Sequence, residues 1–135
     1  MFASREAGKR FLGYLKAQRE RLLGERGQMR VTRTELIETH GYDSKFASHA
    51  VRLGIQGIEY LSTGRLTLPM PELDRLRCLD IRRGRWPLVE VVRMIEELEA
   101  NLFSLLDTSP LPEHPDRERI DAFLVDAYME WWAAK

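Results

Sequence analysis

The chain predicts an all-α fold: a single domain of about six helices packed around a central one, with an extended proline-rich strap. Three observations carry that expectation. Apolar residues recur at helical spacing along nearly all of the 135 residues. Glycines, prolines and capping side chains divide the pattern into segments of helix length. One segment, 44–63, is apolar on most of its circumference, and such a helix is normally buried at the centre of a fold.

The first helix starts after Ser4, a good N-cap, and runs to about Leu23, with Ala7, Phe11, Tyr14, Leu15 and Leu22 on its apolar line. Gly24 and Gly27 end it. Thr32 followed by Glu35 is a capping-box pattern for a short helix through Leu36 and Ile37, closing at His40-Gly41. Asp43 or Ser44 caps the next helix, which stops at Gly64. Within it Phe46, Ala50, Leu53 and Leu61 are core candidates, and Gly54 and Gly57 predict close approach of a neighbouring backbone. Residues 65–68 alternate and read as a β-bridge or an extended connector. Pro71 suits the first turn of a helix to Arg83, stopped by Gly84. Pro87 opens another, with Leu88, Val92, Ile95, Leu102 and Leu106 facing the core. The prolines between Ser109 and Pro115 exclude helix and form the strap. Asp116 caps the last helix, whose Ile120, Phe123, Leu124, Ala127, Tyr128 and Trp131 are expected to face inward, with Trp132 left outside as a contact surface.

Composition bounds the function. Lys plus Arg and Asp plus Glu each number 21, so no basic excess favours tight nonspecific nucleic-acid binding. A single cysteine, Cys78, rules out an intrachain disulfide, suits a reducing cytoplasm, and reads as an inert core thiol. No apolar stretch reaches membrane-spanning length, and the charged start is unlike a signal peptide. The expected location is the cytoplasm. Phosphate-cradling loops, nucleophile elbows and metal-ligand spacings are missing, and His40, His49 and His114 are scattered.

What remains is a polar stripe. Lys45, His49, Arg52, Gln56, Glu59 and Thr63 recur at steps of four, three, four, three and four, one line down a helix that is otherwise apolar or small. Charges on such a helix line a cleft or face a ligand or another chain, because they are rarely buried without partners. The plainer reading is a solvated edge on which Arg52 pairs with Glu59. A second basic group, Arg82, Arg83 and Arg85, sits at a helix end and is explained equally by the helix dipole or by phosphate binding, with Arg65 converging on the same place.

The run Gly41-Tyr42-Asp43-Ser44-Lys45-Phe46-Ala47-Ser48-His49-Ala50-Val51-Arg52-Leu53 resembles the Gly-Tyr-Asp-x-Lys-x-Ala-x-His-x-x-Arg-Leu motif of predicted nucleotidyltransferases of the DNA polymerase β superfamily, in a bacterial and phage branch. Similarity continues through Phe11-Leu12-Gly13-Tyr14, Gly57-Ile58-Glu59, Thr63-Gly64, Ile81-Arg82-Arg83-Gly84, Ser109-Pro110-Leu111-Pro112 and Pro115-Asp116. The resemblance implies residues 1–135 as the C-terminal helical half of such an enzyme, without the α/β half that carries a Gly-Ser turn and magnesium-binding aspartates. It implies no catalytic residue and no metal ligand in this chain, with Mg2+ entering only alongside a catalytic half. It singles out Lys45, His49, Arg52, Glu59 and Arg82; the basic-group argument adds Arg83 and Arg65 as phosphate contacts. Glu59 is expected to orient Arg52 or to pair with Arg82.

The function so predicted is weak binding of nucleotide or nucleic-acid phosphate by a domain that is not catalytic alone. Two rivals stand beside it. One is a small phage-type or bacterial interaction protein that binds a host or partner protein. The other is one half of a split nucleotidyltransferase, completed by a catalytic-half polypeptide.

Overall fold

Residues 2–24 and 41–134 are described by the computed structural model of the chain. They form five helices: α1 (Arg5–Leu22), α2 (Ser44–Thr63), α3 (Glu72–Arg82), α4 (Leu88–Thr108) and α5 (Arg117–Ala133). No strand occurs among the described residues, and 65–71 is a non-helical connector with a bend at 68–69. The short helix expected from Thr32 lies outside the described residues. No helix among them is long and apolar enough to cross a membrane.

α2 is central, packing against α1, α3 and α4, while α1 also packs on α4. Its ends follow from local chemistry. The Asp43 carboxylate accepts from the N–H groups of Lys45 and Phe46 at 3.2 and 3.3 Å, satisfying two donors that a helix start leaves open. At the other end Gly64 adopts φ 75°, a left-handed conformation that favours glycine, and its N–H returns to the Tyr60 carbonyl. Ala50, Val51 and Leu61 on α2 are wholly buried with Leu15, Ile81, Val91, Ile95 and Leu102 from the three neighbours. Phe46 and Leu53 are only half-buried: Phe46 borders a cleft, and Leu53 packs against the edge of the core.

Gly54 and Gly57 are where α1 and α4 close on α2. A Cβ on Gly54 would lie 2.7 Å from Leu98 Cβ and 3.1 Å from Leu15 Cδ1; one on Gly57 would lie 2.8 Å from Leu102 Cδ2 and 3.0 Å from Phe11 Cβ. Both neighbouring helices thus come close to α2 at the two glycines, as expected, and side chains from each fill the notches. Leucine knobs from α4 and an aromatic from α1 fill them.

Two expected faces differ. On α4, Ile95 and Leu102 are buried and Leu88 and Leu106 pack against the core as expected, but Val91 is buried where Val92 was expected and Val92 is half-buried. On α1, Tyr14 is 59% exposed while Gly8 is buried against Leu61. The larger correction is α5, which buries no residue at all. Phe123, Leu124, Tyr128 and Trp131, expected inside, are about half exposed, and Trp132 is 66% exposed. Helical periodicity identifies an apolar face but not what covers it, and α1–α4 close their core without α5.

The segment between α4 and α5 is non-helical. Its Pro112 and Glu113 carbonyls accept from Arg5 and Glu6 N–H at 2.8 and 3.0 Å, which satisfies the open start of α1. Ser109 Oγ donates to the Leu61 carbonyl near the end of α2.

Candidate functional site

The upper half of the stripe forms one wall of a cleft. Lys45, His49 and Arg52 face Gln18 and Arg21 of α1 and Arg82 of α3 around a cavity of about 360 Å3, with Phe46 and Ser48 completing the wall. Arg21, Lys45, Arg52 and Arg82 bring four cations to this space, and no carboxylate is among the described residues that line it.

Arg82 is delivered there by side chains that look unremarkable in sequence. Ser44 Oγ donates to the Arg82 carbonyl at 2.7 Å, and Ser48 Oγ donates to the Cys78 carbonyl at 2.9 Å. The two serines are four apart, so they stand on one face of α2 and hold the last turns of α3 against it. Tyr42 adds a third tie: its hydroxyl donates to the Trp86 carbonyl at 2.6 Å. Polar side chains thus satisfy backbone groups at the α3 end and at the turn after it.

Arg52 Nη2 lies 2.6 Å from His49 Nδ1. An arginine can only donate, so the imidazole accepts at Nδ1 and carries its proton on Nε2. Burial holds His49 below the usual histidine range, and the charges of Arg52 and Lys45 push it further down. The neutral ring leaves Nε2–H as a donor beside the cations. Because the folded protein binds this proton less readily than the unfolded chain, stability is intact above the ordinary histidine value of about 6.5 and falls as pH drops through the depressed one. Denaturation at stepped pH should show that loss in wild type and not in His49→Gln. NMR titration of the His49 ring should give a midpoint below that of a model histidine, moving up when an anion fills the cleft. A midpoint at or above the ordinary value would remove His49 from the cationic cleft.

The lower half of the stripe does other work. Gln56 faces a second cavity of about 370 Å3, which adjoins the first: Ser48, Arg52 and Arg82 line both. Its remaining wall is Leu68 and Met70 from the connector and Arg75, Cys78 and Leu79 from α3. Burial, with Asp74 nearby, pushes the Cys78 thiol above its usual range and so keeps it protonated. Glu59 neither orients Arg52 nor pairs with Arg82. Its carboxylate accepts from the Thr67 N–H, anchoring the connector to α2. The Thr63 hydroxyl caps locally, donating to the Glu59 carbonyl at 2.8 Å and accepting from the Arg65 N–H at 3.1 Å.

Of the residues singled out from sequence, Lys45, His49, Arg52 and Arg82 are brought together. Glu59, Arg65 and Arg83 line neither cavity. The third arginine of the α3 bend, Arg85, is taken by Asp80 at 2.7 Å. Arg21 and Gln18 were not anticipated. These two residues, four and seven positions after Tyr14 on α1, carry no pattern that marks a cleft wall, and only packing of α1 on α2 reveals it.

No protein-family model matches the chain, no curated protein matches it, and no solved structure matches it.

Proposed function

We propose that this chain is a nucleotidyltransferase-like helical domain that binds the phosphates of a nucleotide or nucleic acid and is not catalytic alone. The observation that carries the reading is the cleft itself, where Arg21, Lys45, Arg52 and Arg82 converge without a lining carboxylate among the described residues. Guanidinium groups match phosphate oxygens through paired N–H donors, and the His49 Nε2–H adds a neutral donor. Phosphoryl transfer also needs carboxylates to hold magnesium, and this cleft offers none among the described residues. The reading assigns catalysis to a separate half, which would supply Mg2+ chemistry. The reading places the protein in the cytoplasm. It includes a strap over 109–115 that fastens the start of α1.

Titration calorimetry with tripolyphosphate, with nucleoside triphosphates and with a short oligonucleotide, each at two salt concentrations, tests it. Millimolar to high-micromolar affinity is expected, about −4 to −6 kcal/mol. Affinity should fall with salt, since the contacts are ionic and exposed. No binding by any of the three overturns the reading. The exposed apolar side chains of α5 then favour the second one, an interaction protein that docks a host or partner protein.

A further inference from the structure

The cationic cleft and its neighbour are two chambers with a shared wall. The first is lined by charge; the second has apolar sides in Leu68, Met70 and Leu79 and polar groups in Gln56 and Arg75. The geometry points to a two-part ligand: a nucleotide whose phosphates occupy the first chamber and whose base occupies the second. This rests on the phosphate-binding reading above and goes beyond it, because phosphate alone needs only the first chamber.

Each chamber, at about 360 and 370 Å3, is in the size range of a small-molecule site. Arg52 and Arg82 line both, so a phosphate held by them lies at the entrance to the second chamber. A base presents two flat apolar faces and a polar edge. The apolar walls suit the faces, and the planar guanidinium of Arg75 is a stacking partner. Gln56 offers an amide donor and an acceptor together, which is what a base edge requires. The chamber is also held in shape. Glu59, which stands outside both chambers, fixes the connector through the Thr67 N–H, next to Leu68.

The experiment compares tripolyphosphate, the four nucleoside triphosphates and a short oligonucleotide on wild type, Gln56→Ala and Leu68→Ala. Leu68 is 71% exposed and Gln56 is half-buried, so both variants should fold, and matching melting curves check this. At least one nucleoside triphosphate should bind roughly tenfold tighter than tripolyphosphate, the scale of one stacked base. Both variants should lose that advantage and keep tripolyphosphate affinity. If only the oligonucleotide responds to the two variants, the two-part site stands and its base belongs to a strand. Equal binding of tripolyphosphate and every nucleotide, unchanged in both variants, overturns the base chamber while leaving the phosphate cleft in place. Failure of tripolyphosphate and nucleotides alike removes the phosphate cleft and this inference with it.

Discussion

Replacing Arg52 by alanine should weaken tripolyphosphate binding by about tenfold, or 1.5 kcal/mol. A charge-assisted hydrogen bond contributes about 1.5–3 kcal/mol, and the exposure of Arg52 places the effect at the lower end of that range. The variant also frees His49 Nδ1 from its donor at 2.6 Å, so the ring regains some basicity. Binding should therefore recover partly as pH falls, when a protonated His49 supplies a replacement charge. Arg52→Lys should recover charge but not the paired donors, and bind between the two. The measurement is calorimetric titration of all three proteins at two pH values. Equal affinity in wild type and Arg52→Ala would leave the stripe a structural ladder with no part in the ligand site.

Leu61→Ala should destabilise the fold by about 3–4 kcal/mol, a large share of the 5–15 kcal/mol that such domains possess. Leu61 is fully buried, and its side chain lies against Gly8 of α1. Glycine has no side chain with which to fill the space left behind, so collapse into the cavity is limited. The backbones around the site are also tied: the Ser4 N–H donates to the Tyr60 hydroxyl at 2.8 Å, and Ser109 holds the Leu61 carbonyl. The thermal midpoint should drop by roughly 10–15 °C. Urea denaturation gives the free energy directly. A loss below about 1.5 kcal/mol would mean that the α1–α2 contact is not part of the core.

The parts of the site visible in sequence are those that one helix determines by itself. Lys45, His49 and Arg52 share a face because 3.6 residues make a turn, whatever surrounds α2. Their continuation to Glu59 and Thr63 does not line the cleft, and the connector after Gly64 uses the Glu59 carboxylate. Arg82 was visible as a charge, but its place depends on Ser44 and Ser48 catching carbonyls of α3. Serine hydroxyls inside a helix give no sign of which backbone they will reach. The core was legible in the same measure. Ala50 and Leu61 on α2 and Ile95 and Leu102 on α4 are buried as the pattern implies, whereas at the start of α4 Val91 is buried rather than its neighbour Val92, a difference of one residue that periodicity does not resolve.

α5 has a bearing on how the chain melts. Its backbone bonds are internal and Asp116 caps its start, accepting from the Arg119 N–H at 3.1 Å, yet none of its side chains is buried. A helix of 17 residues that buries no side chain is near the limit of independent stability in water. Its unfolding is therefore expected to separate from that of α1–α4, where side-chain packing couples the helices. Trp131 and Trp132 report on α5, and Trp86 is packed against the core, so the two regions carry their own fluorescent probes. Amides of α5 should exchange with solvent orders of magnitude sooner than those of α2, and the helical circular dichroism signal should begin to fall before Trp86 fluorescence changes. One midpoint shared by both probes would mean that α5 is coupled to the body after all. With two midpoints, the chain has no single cooperative transition and its calorimetric and van't Hoff enthalpies disagree.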